Sequence, residues 1–118
     1  AGFPSPATDY IEEDVDLNVH LIKNVPATFI IRVQGKSMTD VGIYDGDLLV
    51  IDRSLKPKNF STVIANVHDE LVVKSFVKYK DEQFLTSGSK NIKDKIIINN
   101  ESDVFIWGVV TYVIHSTY

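Results

Sequence analysis

Between Thr28 and Ile114 the sequence is broken every few residues by turn-forming positions, and the stretches between them repeat with a period of two. Phe29, Ile31 and Val33 alternate with Ile30, Arg32 and Gln34, a pattern that sends successive side chains to opposite faces of an extended strand. Asp47-Leu48-Leu49-Val50-Ile51-Asp52 is a short apolar run between turn signals, and residues 62–67, 71–79, 96–98 and 104–114 continue the pattern. Gly42, Gly46, Pro57, Gly88 and Asn99-Asn100 stand at the breaks, where their backbone preferences favour turns. The fold class that follows is mainly β: a single compact domain of short, mostly antiparallel strands.

One short helix precedes the strands. Asp16 is placed to cap it, Leu17, Leu21 and Ile22 fall on one face, and Asn24 with Pro26 ends it. This helix is expected to lead into the core. Residues 1–16 hold Gly2, Pro4 and Pro6, then the acidic run Glu12-Glu13-Asp14 with Asp16, a composition that cannot bury enough apolar surface to fold alone. An extended N-terminal arm, 1–16, is therefore expected before a β domain spanning 17–118. Lys90 to Lys95 reads as an exposed charged loop. In Val104 to Ile114 both alternating sets are apolar, so that strand is either central in the sheet or pressed on another subunit. Phe29, Phe105, Trp107 and Tyr112 are expected in the core or at a dimer interface, since no Lys or Arg interleaves them as a base-stacking platform requires.

Composition narrows the function. A net charge of −4 and a pI near 5.2 argue against a free-standing nucleic-acid binder, which needs clustered Lys and Arg to displace counterions. Cysteine is absent, which removes thiol nucleophiles and thiolate metal sites and suits a reducing cytoplasm. No apolar run approaches the roughly 20 residues of a membrane span, and the N-terminus lacks the basic and then apolar layout of a secretory signal. His20, His68 and His115 share no ligand spacing, and the acidic run lacks the alternation and glycine of a calcium loop. Neither a metal nor a cofactor is expected.

Two residues stand out for chemistry. Ser37 lies in Gly35-Lys36-Ser37-Met38, where a strand gives way to a loop. A serine there is ordinarily a turn residue. Lys74 lies within a strand and shares its face with Val72 and Phe76 by alternation. Such a lysine either carries its ammonium out to water, guarding an edge strand against aggregation, or is partly desolvated. Desolvation disfavours an ammonium and can leave an amine able to take a proton from a serine hydroxyl. Asp45 and Asp47 flank Gly46 close to the serine and read as turn-makers.

Taken together, Gly35-Lys36-Ser37-Met38, Gly42-Ile43, Gly46-Asp47-Leu48-Leu49, Asp52 and Glu70-Leu71-Val72-Val73-Lys74 resemble the LexA/UmuD family of Ser-Lys self-cleaving SOS-response proteins, of peptidase S24 type. The 37 residues from Ser37 to Lys74 match that family's spacing. Ala1-Gly2-Phe3-Pro4-Ser5-Pro6-Ala7, with Asp9-Tyr10-Ile11-Glu12 and Asp16-Leu17-Asn18, is similar to the cleavage-site arm of the family's UmuD branch rather than its LexA branch, so the resemblance spans nearly the whole chain.

The resemblance implies a LexA/signal-peptidase-like β fold with Ser37 and Lys74 as catalytic residues. Ser37 attacks the carbonyl of the Ala1-Gly2 bond, and Lys74 removes the serine proton and later protonates the leaving amine. The resemblance also implies that the backbone N–H groups of Ser37 and Lys36 form the oxyanion hole, where donors stabilise charge that develops only in the transition state. Lys36 departs from the acidic or small residue often found before this serine. The resemblance further implies a homodimer, stimulation of cleavage by a RecA–ssDNA filament, and service of the processed form to the catalytic subunit of an error-prone, UmuC-like DNA polymerase in translesion synthesis. The alternatives are the C-terminal self-cleavage domain of a LexA-like or phage repressor and a catalytically idle interaction module. A signal-peptidase-like enzyme acting on other proteins would need an anchor or interfacial apolar patch that the sequence lacks.

Overall fold

Val63, Ile64 and Ala65 are consecutive and all buried, which happens in an extended strand only when both of its faces are covered. They belong to β3 (Thr62–Val67). Val63 and Ala65 pack with Phe76, Leu85, Val104 and Val109 on one face, while Ile64 packs with Met38, Ile43, Leu49 and Ile51 on the other. Around it the computed structural model, which describes residues 2, 14–35, 38–88, 94–99 and 103–118, builds one curled sheet. Its other strands are β1 (Thr28–Arg32), β2 (Leu48–Asp52), β4 (Glu70–Tyr79), β5 (Glu82–Thr86), β6 (Ile96–Ile97) and β7 (Val104–Ile114), in the spatial order β1-β2-β7-β3-β4-β5-β6. All the strand pairs are antiparallel.

β7 is central, pairing with β2 through its C-terminal half and with β3 through its N-terminal half. Val104, Gly108 and Val109 are buried there, while Phe105, Tyr112, Val113 and Ile114 are exposed. Register shifts at Val50/Ile51 and Ile64/Ala65 add local bend and twist where β7 passes from one partner to the other. The β3–β4 hairpin closes through His68 and Asp69, both at positive φ (50° and 69°), as a two-residue turn of the type that matches strand twist requires.

Two features differ from the sequence-based expectation. β5 is not among the predicted strands: Glu82 and Gln83 offer no alternation, and the strand exists because β4 folds back on itself and buries Phe84 and Leu85. The predicted helix, α1 (Leu17–Leu21), does begin at Asp16, whose Oδ1 accepts the Asn18 N–H at 3.0 Å. It buries none of its residues, however, and Leu17 is 63% exposed. Phe29 and Phe105, expected in the core or at a dimer interface, are 42% and 47% exposed, so neither sits in the core of the single chain. Phe29 stacks on Trp107, which also carries the Arg53 guanidinium 4.3 Å from its ring centre.

Leu49 has no exposed surface and packs directly beneath the loop that follows β1. Leu49→Ala is expected to lower unfolding free energy by about 2–5 kcal/mol, read as a fall in the urea midpoint with an unchanged slope.

Candidate active site

The loop between β1 and β2 is pinned at its base and on both flanks. Just beyond β1, the Val33 N–H donates to Asp47 O (2.8 Å) and the Gly46 N–H donates to Val33 O (2.9 Å). Asp45 Oδ1 accepts the Gly35 N–H at 3.0 Å. Asp47, only 3% exposed, accepts the Tyr44 N–H on Oδ2 at 2.9 Å and lies 2.6 Å through Oδ1 from Nδ1 of His115. The Tyr44 N–H pulls the Asp47 pKa below the ordinary carboxylate value; burial opposes it and His115 adds to it. Both aspartates are the turn-makers that the sequence suggested. Within the loop, Met38 and Ile43 are buried, and Met38 O accepts N–H groups from Val41 and Ile43, each at 3.2 Å.

Ser37, Lys36 and Ala1, three of the predicted site residues, lie outside the described residues. Gly2, on the other side of the predicted scissile bond, is exposed.

Lys74 is described in full. It stands opposite Val63 in the β3–β4 register, on the face of β4 that also carries Val72 and Phe76. Both of those pack in the cluster around Val63, as the alternation predicted. The lysine is half-buried, and its Nζ donates to Ser87 Oγ at 2.7 Å. Ser87 follows directly on Thr86, the last residue of β5, which pairs with Ser75. The buried Thr86 hydroxyl donates to Gly88 O at 2.6 Å. Gly88 has φ of 135°, and a Cβ added there would overlap the Asp40 carboxylate. Asp40 belongs to the short 3-10 turn Thr39–Val41. The segment Ser87-Gly88 is thus in contact with Lys74 on one side and with the β1–β2 loop, three residues after Ser37, on the other.

A cleft of about 350 Å³ runs beside this junction, lined among others by Ile31, Gly35, Met38, Leu49, Ile64 and Val73. Gly35 and Met38 bracket the Lys36-Ser37 pair, and Val73 precedes Lys74. β4 also leaves an edge open here. Phe76 turns its N–H and C=O toward Ser61 and Phe60, so by alternation Leu71 and Val73 turn theirs away from β3. The β4–β5 ladder ends at Ser75↔Thr86, short of both. An extended peptide laid along that edge would send alternate side chains into the cleft and past Lys74, the geometry of strand addition.

Ser87 and the Asp47–His115 pair escaped the sequence reading. Nothing local marks Ser87; only the β4–β5 register brings it to Lys74. His115 is 68 residues from its partner.

Residues 1–111 match the Peptidase S24-like family. The chain is 42% identical over 117 residues to Protein ImpA of Escherichia coli, covering 99% of this chain and 79% of that protein. It is 39% identical over 112 residues to Protein MucA of Escherichia coli, covering 95% and 76% of the two chains. To the LexA repressor of Clostridium acetobutylicum it is 32% identical over 100 residues, covering 85% of this chain and 48% of the repressor. The chain belongs to the peptidase S24-like family, the LexA/UmuD group that its sequence resembles. Among the described residues no helix is long and apolar enough to cross a membrane.

A carboxylate whose pKa is lowered in the folded state contributes stability above its unfolded-state pKa, near 4, and loses it as pH falls through the folded value. Asp47→Asn is therefore expected to be less stable than the parent at neutral pH. The gap in urea midpoint should narrow progressively as pH falls below about 4, as the parent's carboxylate also becomes neutral.

Proposed function

We propose that this chain is a self-processing serine peptidase of the DNA-damage response that cleaves its own arm between Ala1 and Gly2. Ser37 Oγ attacks the Ala1 carbonyl carbon while the neutral Lys74 amine takes the hydroxyl proton. The N–H groups of Ser37 and Lys36 receive the oxyanion. Collapse breaks the C–N bond, Lys74 returns the proton to the departing Gly2 amine, and water activated by the same amine releases the acyl group from Ser37. The reaction occurs once per chain.

The observation that carries this reading is the convergence at Ser87-Gly88, which touches the Lys74 amine and, through Asp40, the loop bearing Ser37. The open edge of β4 and the adjoining cleft give an extended arm a place to lie. About ten extended residues span roughly 33 Å, long enough for the arm to reach its own site or a partner's. Cleavage is slow until a RecA–ssDNA filament favours the docked arm, which a partner can do only by preferring that state. The processed homodimer then serves the catalytic subunit of an error-prone, UmuC-like polymerase in the cytoplasm. Likeness to ImpA and MucA over three quarters or more of their lengths supports this over a repressor domain. The LexA match keeps the repressor reading in play, and the length of coding sequence upstream of Ala1 separates the two: a short leader for the first, roughly 70 or more residues carrying a DNA-binding domain for the second.

With its upstream segment attached, the protein is expected to cut itself between Ala1 and Gly2, faster at alkaline than at neutral pH, as general-base catalysis requires. Ser37→Ala and Lys74→Ala should stay intact at every pH, with cleavage followed by intact-mass spectrometry. Equal cutting by either variant, or none by the parent even with RecA filament, would remove self-processing and leave a binding module.

A further inference from the structure

A lysine amine on a flexible four-carbon stem is a poor general base unless something fixes where its lone pair points. Among the described residues, the group that fixes the Lys74 amine is Ser87 Oγ, 2.7 Å away. A neutral amine has two N–H donors and one lone pair. An N–H committed to Ser87 leaves the lone pair free for a second hydroxyl and restricts its direction, whereas a lone pair occupied by the Ser87 proton would be useless as a base.

Ser87 is itself held in place. Thr86 is fixed by its pairing with Ser75 and is 1% exposed. Its hydroxyl bridges to Gly88 O, clamping the residue between them. Gly88 leaves no room for a side chain against Asp40 and adopts a φ that favours glycine. The two residues of β4 that flank Lys74 on its own face, Val72 and Phe76, are apolar and offer the amine no acceptor.

We infer that Ser87 is a positioning residue for Lys74, its hydroxyl oxygen accepting one N–H so that the amine's lone pair is directed at the nucleophile's proton. This rests on Lys74 being the base of the self-cleavage proposed above. Ser87 makes no bond to the substrate and is not consumed. Its role explains why the half-buried Ser87 is held between two buried residues, Thr86 and Gly88, beside the lysine.

The test compares Ser87→Ala and Ser87→Thr with the parent, all carrying the upstream segment, by the first-order self-cleavage rate at alkaline pH and the thermal unfolding midpoint. Removing the acceptor is expected to slow cleavage by roughly 10- to 100-fold, the scale of a misaimed reacting group, with little change in midpoint. Threonine, which keeps a hydroxyl, should retain the parental rate. A parental rate in Ser87→Ala overturns the inference. Cleavage by Ser37→Ala but not by Ser87→Ala also overturns it, making Ser87 the nucleophile. A second readout needs no cleavage: in the Ser37→Ala background at mildly acidic pH and low temperature, the Lys74 ammonium ¹H–¹⁵N signal should persist, and Ser87→Ala should broaden it through faster exchange. If the parent fails to cut, self-processing falls while this signal still decides the role of Ser87, and an identical signal with and without the Ser87 hydroxyl overturns it.

Discussion

The site depends on how β4 is shared between two neighbours. Its first part pairs with β3 and its last part with β5, and Ser75 takes part in both ladders. Lys74 sits immediately before that shared residue, where one side of the strand is still paired and the other has just opened. The register sets which face the lysine occupies, since a slip of one residue would carry every side chain of the strand to the opposite side. Burial of Phe76 and Leu85 on the lysine's face and of Ile64 on the other makes that slip costly.

From this arrangement the remaining features follow with little further design. Where β5 ends, its chain must turn, and the turn delivers Ser87 to the amine and Gly88 to Asp40. The β1–β2 loop is tethered independently, by the Val33 pairing at its base and by Met38 and Ile43 in the core. Two segments anchored in the same sheet by different strands therefore meet without either needing to fold around the other. The open edge of β4 is ordinarily a hazard, because unpaired N–H and C=O groups invite another strand. Here it lies beside the cleft and the lysine, so the same exposed groups are a template for an extended segment.

Much of the fold was legible in the sequence because one physical signal dominates it. Period-2 alternation marked β1 and β4, apolar runs between turn signals marked β2, β3 and β7, and turn chemistry located the breaks at Gly42, Gly46 and Gly88. The placement of Lys74 on the Val72–Phe76 face came from the same alternation. What stayed hidden depended on partners distant in the chain. Residues 82–86 carry no strand signal of their own and become β5 by pairing; Ser87 acquires meaning only through that pairing; His115 reaches Asp47 from the far end of β7.

In the proposed mechanism one serine, Ser37, is activated by Lys74. A fluorophosphonate that reacts with activated serines, followed by peptide mass spectrometry, tests it without requiring an arm, a filament or a polymerase. Label is expected to accumulate on Ser37 and to disappear in Lys74→Ala while that variant stays folded. Label on Ser87 or another serine, or labelling of Ser37 that survives the loss of Lys74, would contradict it.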